Sequence, residues 1–96
     1  MLNLSYTSIA SNHPLLGEII SENLKKTVEK YPTNDALVSL HQNYKVTYEE
    51  FYKDVIQLAK AFLADGIEFG DRVGIWAPNC YEWVLVQYAT AEIGAI

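Results

Sequence analysis

The side chains able to do chemistry are few and far apart: one thiol at Cys80, two imidazoles at His13 and His41, and adjacent carboxylates at Glu49-Glu50. Cys80 follows Asn79 where a helix is expected to begin, and a helix N-terminus can lower a thiol pKa, which makes it the one nucleophile to consider. Nucleophilic catalysis also needs a base held against the thiol, and the sequence puts none beside it. His13 and His41 have no cysteine or carboxylate at ligand spacing, so a zinc site is not expected. Glu49-Glu50 could serve as a general acid and base. However, Thr47-Tyr48-Glu49-Glu50 already employs Glu50 as a capping box and leaves Glu49 to solvent. Gly66, Gly70 and Gly74 recur every fourth residue without the lysine or hydroxyl of a phosphate loop, and they read as a helix end, a turn and a close-packed strand position. A phosphoacceptor domain would need acidic residues at strand ends, whereas residues 73-78 end in Trp76-Ala77-Pro78. Trp76, Tyr81, Trp83 and Tyr88 could face a ligand, but aromatic residues in a buried strand and an apolar helix belong more often to a core. No residue is assigned to catalysis, to a cofactor or to a metal.

The elements that would position such groups centre on Gly70 to Asn79. Gly70-Asp71 has turn chemistry, Val73 to Trp76 is an apolar run of strand length, and Pro78-Asn79 stops it and supplies a helix cap. A run without polar alternation suits a strand covered on both faces, so it is expected to be the first inner strand of an α/β sheet. Residues 1-17 read as an extended leader, of which 1-14 show no sustained period and end at His13-Pro14. From about Glu18, the spacing of Ile20, Leu24, Val28 and Tyr31 predicts an amphipathic helix with Glu22, Lys25, Lys26, Glu29 and Lys30 outside, stopped by Pro32. Ala36 to His41 and Tyr44 to Thr47 predict a hairpin across Gln42-Asn43. The capping box then opens a helix over 48-65, with Phe51, Val55, Leu58, Ala59, Phe62 and Leu63 apolar and Gly66 closing it. A third helix is predicted near Cys80, capped by Asn79. Trp83, Val84, Leu85, Val86, Tyr88 and Ile93 make it apolar nearly all round, the pattern of a buried helix.

Composition narrows the function classes. Ninety-six residues, half of them hydrophobic and 12% aromatic, describe globular sequence and at most one small domain. Twelve acidic residues against seven scattered basic ones give a formal charge of -5, with no basic stripe to follow a phosphate backbone, so nucleic acid is not an expected partner. A single cysteine suits a reducing compartment. Residues 1-24 carry neither a secretory n-region nor an Arg-rich transit face, so the cytoplasm is the expected location, with peripheral membrane association as the alternative. Trp83 to Ile96 is too short to span a bilayer, so no transmembrane segment is expected. A parallel βα unit needs a following strand, and the apolar last helix needs cover, so the chain reads as incomplete, with the remainder of the same chain expected to cover that helix.

Thr47-Tyr48-Glu49-Glu50-Phe51, Leu58-Ala59, Leu63-Ala64-Asp65-Gly66-Ile67, Gly70-Asp71-Arg72-Val73-Gly74-Ile75 and Pro78-Asn79 resemble, in that order, the N-terminal part of the AMP-forming, adenylate-forming ligases. The resemblance runs through residues 18-96. Trp76 to Ile96 is most similar to the medium- and long-chain fatty-acyl-CoA synthetases of that superfamily, as is the leader with Ser5-Tyr6 and Pro14-Leu15-Leu16-Gly17-Glu18. The resemblance implies residues 18-96 as an incomplete N-terminal part of the large multi-layer α/β domain of these enzymes. It implies a parent enzyme that uses ATP and magnesium to turn a fatty acid into an acyl-adenylate and passes the acyl group to coenzyme A. The family's phosphate loop, acid pocket and catalytic lysine come later in the chain, so no site residue carries over and the fragment alone is expected to be inactive. A peptide-synthetase adenylation domain, an aryl-CoA ligase, and a stand-alone non-catalytic interaction module remain the alternatives.

Overall fold

The computed structural model describes residues 4-96, and the first three residues of the expected leader lie outside the described ones. Residues 5-19 form no helix or strand and are exposed almost throughout. Helix α1, Ile20–Lys30, follows. Of its predicted stripe Leu24 is buried and Val28 half-buried, while Ile20 and Tyr31 stay exposed. The Tyr31 amide still bonds back to the Thr27 carbonyl at 2.8 Å, and Pro32 cannot extend the helix. The carbonyls of Pro32 and Asn34 accept the amides of Glu49 and Tyr48, both at 3.0 Å, and so fasten the loop after α1 to the start of the next helix.

Strands β1, Asp35–Ser39, and β2, Tyr44–Thr47, pair antiparallel with Ser39 opposite Tyr44 and Leu37 opposite Val46. The predicted two-residue link is in fact a four-residue loop, Leu40 to Asn43, because no residue of β2 stands opposite Leu40 or His41. The loop closes through the Asn43 amide on the Leu40 carbonyl at 3.1 Å, and Asn43 has a φ of 50°, a left-handed conformation that asparagine tolerates better than most residues.

Helix α2, Tyr48–Ala64, opens as the sequence dictates: Thr47 Oγ1 accepts the Glu50 amide at 3.3 Å and Glu50 Oε2 accepts the Thr47 amide at 2.9 Å. It closes at Asp65 and Gly66. Gly66 takes a φ of 94°, and the Ile67 amide reaches back to the Phe62 carbonyl at 3.0 Å. Phe51, Val55 and Ala59 form its buried line, whereas Leu63, expected on the apolar face, is exposed.

Helix α3, Tyr81–Ile93, packs chiefly on α2 and also on α1. Leu24, Val46, Phe51, Val55 and Tyr81 form the central apolar cluster, so α1, β2, α2 and α3 each contribute to one core. The Phe51 ring meets Tyr88 edge-on at 5.5 Å between centroids and Tyr81 at 6.2 Å. Trp83 to Val86 are only half-buried, because α3 is covered on the α2 side and not all round.

The segment before α3 departs most from expectation. Residues 71-77 form no helix or strand and are not covered on two faces. Their one ladder contact is with the end of the chain: the Ile96 amide donates to the Asp71 carbonyl at 2.7 Å and the Val73 amide to the Ile96 carbonyl at 2.8 Å. That pair of bonds is a parallel bridge between Arg72 and Ile96. Val73 and Ile75 are half-buried, while Gly74 and Trp76 lie open, Trp76 with its full surface (103% relative exposure). The expectation of a core Trp76 is therefore wrong: the face it points from has no neighbour among the described residues. Gly74, read as a close-packed position, has nothing within 4 Å of where a Cβ would stand.

Candidate functional site

The densest polar cluster is built on Gln42, a residue the sequence offers only as part of a loop. Its Oε1 accepts from Ser39 Oγ at 2.6 Å and from the Tyr81 amide at 2.8 Å, and its Nε2 donates to Glu82 Oε2 at 2.9 Å. The predicted Asn79 cap is thereby corrected. Cys80 is the N-cap residue, its side chain makes no capping bond, and the first helical amide of α3 is satisfied from the hairpin loop instead. The Gln42 amide, then the backbone N–H of Glu82 itself and the Cys80 thiol, hold the Glu82 carboxyl below its usual value.

One turn inward, the Tyr81 hydroxyl donates to Asp54 Oδ2 at 2.6 Å, and the Tyr44 ring stacks at a tilt against Tyr81 with centroids 4.8 Å apart. Burial, then the bond to Asp54, pushes the Tyr81 pKa well above the ordinary tyrosine range. The folded chain thus keeps a proton that the unfolded chain gives up above about pH 10. The contribution of Tyr81 to stability is full below that pH and declines as the pH rises beyond it, by at most about 1.4 kcal/mol per pH unit for one proton. Stability measured by denaturation across this alkaline range should therefore fall more steeply for the natural chain than for Tyr81→Phe. Equal slopes would show that the hydroxyl is not held as described.

The other candidate residues are not assembled for chemistry. His41 and Cys80 do line one open groove of about 360 Å³ along β1, together with Leu37, Val38, Ser39, Leu40, Asn79 and Tyr81. His41 is exposed, and no hydrogen bond orients it toward the thiol. His13 lies in the exposed segment before α1, where its amide donates to Ser11 Oγ at 3.1 Å. Glu49 is exposed and Glu50 is committed to the cap. Gly66 and Gly70 serve turns with φ of 94° and 84°. A smaller cavity of about 120 Å³ lies between Leu24, Ala36, Leu37, Tyr48, Phe51, Val84 and Tyr88, below the 300–1,000 Å³ or so of typical ligand pockets. Among the described residues no group of three or more His, Cys, Asp or Glu side chains is placed to hold a metal ion. Glu92 Oε2 is buried without a partner among them.

What the geometry does provide is a helix–hairpin–helix body, a glycine turn and a short parallel bridge, the opening of a βα crossover. Residues 24–96 match the family described as AMP-binding enzyme. The chain belongs to that family. Within this AMP-binding family it is 45% identical, over 95 residues, to the mitochondrial medium-chain acyl-CoA ligase ACSF2 of Danio rerio, an alignment covering 99% of this chain and 16% of that ligase. The Homo sapiens ligase of the same name is 37% identical over 93 residues, covering 97% of this chain and 15% of the ligase. Among solved structures, a Mycobacterium tuberculosis fatty acyl CoA synthetase superposes with a TM-score of 0.77 at 28% identity, over 81% of this chain and 16% of its own. The chain therefore has the fold of the N-terminal portion of adenylate-forming enzymes and spans about a sixth of the length of the relatives it matches.

Proposed function

We propose that these residues are the opening part of a medium- or long-chain fatty acid:CoA ligase, which activates the acid with ATP and magnesium to an acyl-adenylate and transfers it to CoA. The observation carrying this reading is the 45% identity to a medium-chain acyl-CoA ligase sustained over 99% of the chain. In this reading residues 1-17 are a leader and residues 18-96 the incomplete start of the AMP-binding domain. Their part is structural: Gln42, Phe51 and Tyr81 hold the hairpin, α2 and α3 together, and the residues that touch acid, nucleotide and CoA belong to the rest of the protein. No helix of the described residues is long and apolar enough to cross a membrane. The cytoplasm is the expected compartment from the lone cysteine, while the Danio rerio relative is named as mitochondrial. Cell fractionation decides between the two.

Two assays on the protein from its source test the reading. Intact mass should be several times the 10.9 kDa of this sequence, and the native protein should form acyl-CoA from fatty acids of graded length. Purified residues 1-96 should form none. Acyl-CoA made by residues 1-96, or a native mass equal to theirs, would overturn it.

A further inference from the structure

Glu92 breaks two local rules at once. It stands in the last turn of α3, where the helix dipole presents its negative end, and that turn holds no basic residue to offset it. Its side chain is half-buried, and Oε2 is enclosed by protein without a hydrogen-bond partner among the described residues. A carboxylate oxygen taken out of water and left unbonded is costly, so the position calls for a donor. The chain has few to give. Of its seven basic residues none lies in α3, and the ion pairs among the described residues are Lys26 with Glu18 and Lys45 with Asp35.

We infer that Glu92 is the acceptor of an ion pair whose cation, a lysine ammonium or an arginine guanidinium, is carried by the residues that follow Ile96 in a protein of the relatives' length. Three observations favour that source. Glu92 lies at the end of α3 from which the chain leaves, four positions before Ile96, so the following segment starts beside it. The relatives are about six times as long as this chain, which covers 16% of the Danio rerio ligase, so there is chain enough to supply the donor. A second copy is the poorer source, since twelve acidic residues against seven basic ones leave each copy at a formal charge of -5. The pair holds α3 against that segment in one arrangement, because any other leaves the enclosed oxygen without a donor.

This inference rests on the reading of the chain as the start of a ligase, and the native-length protein separates the two. There Glu92→Gln should speed hydrogen exchange of the Ala95 amide, which closes α3 on the Thr90 carbonyl at 3.0 Å, by roughly tenfold or more, and Glu92→Lys should speed it further through repulsion. Without a cationic partner the order reverses, because a lysine suits the negative end of a helix and would slow the exchange. A crystal structure of the native-length protein should put a lysine or arginine nitrogen from beyond residue 96 within about 4 Å of the Glu92 carboxylate, a readout that needs no variant to fold. Slower or unchanged exchange in Glu92→Lys, or no such nitrogen, in a protein that still makes acyl-CoA would overturn the pairing and leave the ligase reading intact. A nitrogen supplied by a second copy would overturn the assigned source. The pair found in a protein that makes no acyl-CoA would overturn the ligase reading alone.

Discussion

Phe51→Ala should destabilise the chain by about 3–5 kcal/mol, the range for truncating a buried aromatic residue. A domain of this size holds on the order of 5–15 kcal/mol in total, and α3 is covered only in part, so little folded baseline should survive. The size of the effect follows from position. Phe51 is 3% exposed, and its ring stands between Tyr81 and Tyr88 of α3 at the point where α2 meets that helix. The cavity would open beside the existing gap of about 120 Å³, which Phe51 itself lines, so surrounding groups have little with which to refill it. Urea denaturation monitored by circular dichroism reads the loss, and Phe51→Leu, which keeps most of the volume, should cost about 1.5 kcal/mol or less. A loss under about 1 kcal/mol for the alanine variant would mean that this cluster is not the core.

Gly94→Val should be the second most damaging change, at roughly 1–2 kcal/mol or somewhat more. The backbone carries most of the cost. A β-branched residue at φ 75° sits in the left-handed region, and its Cβ would collide with Cδ2 of Phe69, whose exposed ring would have to swing aside. The damage should be local before it is global. Amide exchange at Val73 and Ile96 should accelerate while Val55 in α2 keeps its protection. Gly74→Ala is the control, since nothing lies within 4 Å of its Cβ position and its φ is not positive, and it should change stability by no more than about 0.5 kcal/mol. If both glycines respond alike, the conformational argument fails.

Features set by neighbours in sequence were readable in advance. The Thr47–Glu50 box, the length of α2, the closing role of Gly66 and the existence of the hairpin all depend on residues within four or five positions of one another. Features set at a distance were not. Gln42 takes over the N-terminus of α3 from 39 positions away, which no local pattern encodes, and it displaces Asn79 from a role that asparagine fills well elsewhere. Trp76 misled for the opposite reason. Its setting in an apolar run describes a strand among partners, and hydrophobicity alone does not say which of those partners are present. Family membership was legible because turn, cap and core residues recur in one order within residues 24–96, the stretch the family matches. Chemistry was not, because the candidate side chains, His13, His41, Cys80 and Glu49, stand apart along the sequence and no hydrogen bond among the described residues joins them.

The open position of Trp76 turns it into an optical gauge. Of the two tryptophans, Trp83 is half-buried and Trp76 fully exposed, so in residues 1-96 the emission should carry a red-shifted component that acrylamide quenches readily. Any segment that settles over that face takes the indole out of water. The colour of the emitted light then reports, in real time and without a label, whether this part of the molecule has found its cover.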